Sequence, residues 1–144
     1  QGRRRRLHVV DTRAEPYVER VKEITGGRGA RVVFDPIYGP LVTDHIKAAC
    51  EEAIVFVYGA LDPRPLELGL GGMLRKNVRL QGFTLGPMLG DPARRARALA
   101  EITRLLERGD FAPVVDADFP LYRIQDAHRH LESNQQIGKV VVVP

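Results

Sequence analysis

Two periodicities alternate along the chain. Leu7-His8-Val9-Val10 is a short β-type run ending at Asp11. From Pro16 to Thr25 the spacing turns helical, with Val18, Val21 and Ile24 three apart. Pro16 suits a first helical turn, and Gly26-Gly27 supplies a left-handed stop. Arg31-Val32-Val33-Phe34-Asp35 is too short and too β-branched for a helix, so a strand is predicted. Gly39-Pro40 opens a second helix carrying Leu41, Val42, Ile46 and Ala49 on its apolar side. The run Ala53 to Tyr58 is continuously apolar and stops at Gly59. Such runs predict strands buried on both faces, as in a parallel sheet covered by helices.

A loop with Pro63 and Pro65 leads to a short helix near Gly69 to Arg75, and Val78 to Leu85 reads as a strand that Gly82 weakens or bends. Asp91-Pro92 is an N-cap with proline at the first helical position, and the helix runs to Arg108 before Gly109. Its buried stripe is expected to be Leu99, Ile102, Leu105 and Leu106, with Arg97 and Glu101 paired on the wet side. Val114-Val115, a helix around Ile124 to Ser133 and a strand over Val140 to Val143 complete the chain. Strands alternating with helices imply an α/β layered sheet with right-handed crossovers. Ligands in that architecture sit outside the carboxyl ends of the strands. Those ends are Asp35-Pro36-Ile37-Tyr38-Gly39, Tyr58-Gly59-Ala60 and Gly82-Phe83-Thr84-Leu85, and each carries a glycine that lets a ligand approach the backbone.

Composition narrows the class. The chain has 144 residues, 44% apolar and 28% charged, as expected of one soluble globular domain rather than a disordered chain. No apolar run reaches the roughly eighteen residues of a membrane-spanning helix, and no signal-type apolar region follows the start. The single Cys50 excludes an intramolecular disulfide and fits a reducing cytoplasm. Charge is 22 basic against 18 acidic, or +4, and Arg3 to Arg6 supply all of the excess. A neutral body with one arginine-rich end argues against a nucleic-acid surface and leaves Arg3 to Arg6 as a solvated terminus or a phosphate-binding arm.

Several segments in order resemble one family. They are Tyr17 to Gly29, Val32-Val33-Phe34-Asp35-Pro36, Tyr58-Gly59-Ala60-Leu61, Leu74 to Val78 with Gly82-Phe83-Thr84, and Ala127 to Val140. Together they resemble the C-terminal part of the medium-chain dehydrogenase/reductase superfamily, in its zinc-independent NADPH:quinone oxidoreductase branch. The resemblance implies a partial Rossmann-type parallel sheet with flanking helices that lacks the first glycine-rich βα unit. A C-terminal strand-helix-strand return segment would follow. Residues 1–109 would then be the partial nucleotide-binding domain and 110–144 the return toward a substrate domain. The glycine-rich phosphate turn is not found. Gly69-Leu70-Gly71-Gly72 follows a proline loop rather than a strand, and Gly26-Gly27-Arg28-Gly29 follows a helix. No P-loop is present either.

By the same resemblance, the cofactor is NADPH and the chemistry is hydride transfer to a quinone or an activated C=C or C=O bond. Pro36, Ile37, Tyr38 and Gly39 would lie beside a ribose, where many relatives carry a smaller turn. Tyr58, Gly59, Ala60, Phe83, Thr84 and Leu85 would meet the nicotinamide half, and Asn134, Gly138 and Lys139 would close from the C-terminal segment. Partners would be a small-molecule substrate and a second copy, paired edge to edge through Val78 to Leu85, with no nucleic acid and no membrane. A non-catalytic dimerisation module of the same fold is the alternative. Glu51-Glu52 stands where relatives usually have a glycine turn.

Single residues carry two readings each. Asp35 either polarises a ribose hydroxyl or caps the following turn. Tyr58 is a proton donor or a half-buried aromatic at a strand end. His128 and His130, two apart on a helix, face different ways and do not make a zinc pair. Cys50 lies beside Glu51 and Glu52, whose charge disfavours a thiolate. No catalytic residue is assigned.

Overall fold

The computed structural model describes residues 7–144; Arg3 to Arg6, read above as a terminus or an arm, lie outside the described residues. Those residues divide into two compact units between Leu85 and Gly86. This division falls before Gly86, whereas the resemblance implies a boundary after residue 109.

The first unit alternates helix and strand: α1 (Tyr17–Ile24), β1 (Ala30–Asp35), α2 (Leu41–Ala48), β2 (Ala49–Val57), α3 (Leu70–Lys76) and β3 (Arg79–Gly82). The strands form one parallel sheet in the order β1-β2-β3, with Phe34 opposite Phe56 and Val57 opposite Gly82. Parallel neighbours require a crossover, and α2 and α3 supply it. Gly26 and Gly27 take positive φ after α1, as their position predicts.

Burial alternates along the sheet, because successive side chains point to opposite faces. Val33, Val55 and Val78 join Val42 and Ile46 of α2 in the core, with Met73 of α3 against them. The other face carries Val32 and Phe34, 46% and 66% exposed, in register with Ile54 and Phe56. Burial on both faces was the expectation; within this unit one face is covered. The helical residues that pack on the sheet all gather on the Val33–Val55 side.

The second unit holds α4 (Gly86–Gly90), α5 (Pro92–Glu107), β4 (Val115–Pro120), a 3₁₀ turn over Leu121–Arg123, α6 (Ile124–Glu132) and β5 (Lys139–Val143). Strands β4 and β5 pair in parallel, with α6 packed on both. This is the strand-helix-strand segment expected at the C-terminus. Asp91 caps α5 by accepting from the Ala93 and Arg94 amides.

Other expectations are corrected. Leu7 to Val10 forms no strand, because no strand of the described residues pairs with it and Leu7 and Val9 face solvent. The β3 ladder stops at Gly82, short of Leu85. In α5 the stripe is open, with Leu99, Ile102 and Leu106 exposed, because the one-turn α4 packed on it is too short to cover it. Glu101 pairs with Arg104 rather than Arg97. Among the described residues no helix is long and apolar enough to cross a membrane.

Glu52 sits in a left-handed conformation, φ +53°, where the pairing of β1 with β2 is irregular. Its side chain is exposed and makes only a 3.7 Å surface pair with Arg31, so the backbone strain has little to offset it. Glu52→Gly is expected to raise unfolding stability by about 1 kcal/mol in urea denaturation, whereas Glu52→Val lowers it.

Candidate functional site

The carboxyl ends of the three parallel strands meet through backbone hydrogen bonds. The Tyr58 amide donates to the Asp35 carbonyl and the Phe83 amide to the Val57 carbonyl, both at 2.9 Å. The Asp62 amide donates to the Ile37 carbonyl at 2.9 Å, closing the loop after β2 onto the turn after β1. That turn is held from within. Asp35, 1% exposed, accepts from the Ile37 amide at 2.7 Å and the Tyr38 amide at 3.1 Å through Oδ1, and from Tyr38 again at 3.2 Å through Oδ2. These bonds fix Tyr38 at φ +71° and Gly39 at φ +64°. A bulky residue in that region costs about 1–3 kcal/mol, so the surrounding bonds must over-determine it.

The three strand-end glycines differ in what they permit. A Cβ on Gly59 would lie 2.3 Å from the Pro36 carbonyl oxygen, so this glycine accommodates the chain's own backbone. On Gly39 it would meet Asp62 at 3.0 Å. Only at Gly82 is the space open, with nothing within 4 Å. Arg64 is bonded to Asp62, through side chain and backbone, and holds that carboxyl down to about 2.

Beside this rim lies an apolar groove of about 400 Å³ lined by Phe34, Phe56, Tyr58 and Phe83. Phe34 and Phe56 stack at 5.4 Å between centroids, and Tyr58 is half exposed at the groove's rim end. Ala60, Thr84 and Leu85 are exposed next to it.

Behind the turn stands an arrangement that the sequence reading did not single out. Tyr17 Oη and His45 Nδ1 are 2.8 Å apart, and His45 Nε2 is 3.7 Å from Asp35 Oδ2. Nε2 faces a carboxylate and therefore carries the ring proton, which leaves Nδ1 to accept from the tyrosine hydroxyl. At 3.7 Å Nε2 is beyond hydrogen-bond reach, so its interaction with Asp35 is electrostatic and its proton is unpartnered. Burial lowers the His45 pKa, opposed by the charges of Asp35 and Asp44. Burial also raises that of Tyr17, helped by the same two carboxylates. His45 lies between Val42 and Ile46 on the apolar side of α2, a position that by itself reads as core.

The structure thus brings Pro36 to Gly39, Tyr58 to Ala60 and Phe83 to Leu85 to one end of one sheet. Asn134, Gly138 and Lys139 belong to the second unit, and two of them have local backbone roles. Asn134 takes φ +54° just beyond α6. Gly138 takes φ +131°, where a Cβ would lie 2.6 Å from the Val114 carbonyl oxygen. Lys139 is exposed at the start of β5. Asp35 caps its own turn, with its oxygens already committed to backbone amides. His130 Nε2 pairs with Asp116 at 2.7 Å, while His128 lines an apolar groove with Ile124 and Val140. No group of three or more His, Cys, Asp or Glu converges among the described residues.

The chain matches, over residues 7–142, the family model described as zinc-binding dehydrogenase. It is 24% identical over 153 residues to the synaptic vesicle membrane protein VAT-1 homolog of Rattus norvegicus, covering 95% of this chain and 38% of that protein. It is 28% identical over 136 residues to the mycoketide-CoA synthase of Mycobacterium tuberculosis, covering 94% of this chain and 3% of that one. Among solved structures, Escherichia coli quinone oxidoreductase complexed with NADPH superposes with a TM-score of 0.84. That match is 25% identical and covers 94% of this chain and 42% of the other. The chain therefore spans well under half the length of these relatives. The zinc in the family description finds no ligand set among the described residues.

Two outcomes follow from the geometry. Because the folded-state pKa of His45 lies below its ordinary 6.5, the unfolded chain binds the proton more readily. Stability from this group is complete above pH 6.5 and falls as the pH drops toward its lowered value. His45→Gln should flatten the pH dependence of urea stability over that window. Gly59→Ala should lower stability by about 1–3 kcal/mol, by overpacking against Pro36.

Proposed function

Because this chain belongs to the zinc-binding dehydrogenase family, we propose that it is the C-terminal portion of a nicotinamide-dependent oxidoreductase of quinone-reductase type. The observation that carries the reading is the meeting of three parallel strand ends beside an apolar groove, with Gly82 open to a flat ligand. The cofactor is NADPH, which supplies the hydride delivered to a quinone or an activated C=C or C=O bond. Residues 1–109 contribute part of the nucleotide-binding domain and 110–144 the return segment, in a cytoplasmic enzyme.

Each part of the rim has a task that its chemistry suits. The turn Pro36-Ile37-Tyr38-Gly39 borders the ribose, and its strained backbone is fixed in advance by Asp35. Tyr58, Gly59, Ala60, Phe83, Thr84 and Leu85 flank the nicotinamide half, largely through backbone. The aromatic groove keeps water from the reacting end, where an apolar surround favours hydride transfer over side reactions. The pyrophosphate half has no counterpart here, because no glycine-rich turn opens a helix after a strand in this chain.

A second reading is a dimerisation module. β3 is an edge of its sheet, paired on one side by β2, and could extend a ladder into a second copy.

NADPH titration, followed by cofactor fluorescence, separates the two. Lacking the pyrophosphate turn, the chain is expected to bind saturably but weakly, with a Kd on the order of 0.1–1 mM. Gly82→Phe should weaken that binding at least tenfold. No saturable binding together with a stable dimer in sedimentation would favour the module.

A further inference from the structure

The end of the first unit opposite the rim is lined with cations that the hydride-transfer reading does not use. The chain has four lysines against eighteen arginines, and three of the four, Lys22, Lys47 and Lys76, line one cavity together with Arg75. That cavity measures about 360 Å³. A second one of about 380 Å³ shares Lys22, Arg75 and Lys76 and adds Arg28 and the Gly29 backbone. The lysines are brought together by topology. Lys22, Lys47 and the Arg75-Lys76 pair occupy the last turns of α1, α2 and α3, and those helices lead into the amino ends of β1, β2 and β3.

Local structure accounts for two of these charges. Lys76 Nζ donates to the carbonyls of Ile46 at 3.2 Å, Lys47 at 2.9 Å and Ala49 at 2.8 Å, which caps α2. Lys47 pairs with Asp44 at 2.9 Å. Lys22, Arg28 and Arg75 have no carboxylate within ion-pair distance among the described residues, and Glu51 is the only acid lining either cavity. Lys22 and Arg75 also lie close enough to Lys76 that, after burial, their charges help to lower its pKa. These like charges are offset in part by the carbonyl ends of the three helices, and an anion in the recess would relieve the repulsion that remains. Ammonium groups and a guanidinium fork together suit a phosphate group, the first as point charges and the second as a bidentate donor.

We propose that this recess, between the ends of α1, α2 and α3, is a binding site for a small phosphate-bearing anion, separate from the strand-end rim. Lys22 and Arg75 are its principal ligands, and Lys76 shapes it by holding the end of α2. The site does not depend on the hydride-transfer reading, since it uses none of the rim residues.

The test is calorimetric titration of the whole chain with inorganic phosphate and with glycerol 3-phosphate, at constant ionic strength set with chloride. Both should bind saturably with one-to-one stoichiometry. The Lys22→Ala/Arg75→Ala double variant should weaken binding at least tenfold. Arg94→Ala/Arg97→Ala, which removes equal charge from the second unit, should leave it unchanged. Absence of saturable binding would overturn the proposal, as would equal loss in both double variants. Binding only to vesicles containing phosphatidic acid, with neither soluble phosphate taken up, would overturn it as well.

Discussion

The Asp35 carboxylate is the constraint on which the described rim depends. It sits at the last residue of β1 with its oxygens turned onto the backbone amides of Ile37 and Tyr38. A buried carboxylate is costly unless its lone pairs are occupied, and here the turn occupies them. In exchange the turn keeps Tyr38 in a left-handed conformation that its side chain would otherwise resist. That geometry presents the Ile37 carbonyl to Asp62, and Gly59 leaves the room in which the Pro36 carbonyl lies. His45 stands close behind Asp35 without bonding to it, so the protonation of the imidazole and the integrity of the turn are electrostatically linked.

Much of the first unit was legible in its residues. The β-branched run at Val32-Val33 and the apolar run to Val57 read as strands because nothing else suits them, and the glycine pair after α1 stops that helix where expected. The strand ends were found because a parallel α/β layer gathers its carboxyl ends on one edge. What their glycines do was less legible. A glycine admits a ligand or the chain's own backbone, and a one-dimensional pattern does not distinguish the two; Gly59 serves the second role and Gly82 is free for the first.

The errors share one physical origin. Periodicity reports which residues prefer to be buried, while burial needs a partner surface. Leu7 and Val9 have strand character and no ladder to join, and the α5 stripe has only a single helical turn against it. The sheet face bearing Val32 and Phe34 is apolar on the pattern of a doubly covered sheet, yet its unit covers one side only. His45 was overlooked for the converse reason. A histidine on an apolar helix face reads as a core residue until its neighbours, Tyr17 and Asp35, are brought to it by α1 and β1.

The central claim is that the rim at the carboxyl ends of β1, β2 and β3 receives the nicotinamide cofactor. Amide chemical-shift mapping of the ¹⁵N-labelled chain during NADPH addition tests it most directly. The expected result is a set of concentration-dependent shifts confined largely to Ile37–Gly39, Tyr58–Ala60 and Gly82–Leu85. Shifts clustered instead around Lys22, Arg75 and Lys76, with the rim amides unmoved, would contradict it.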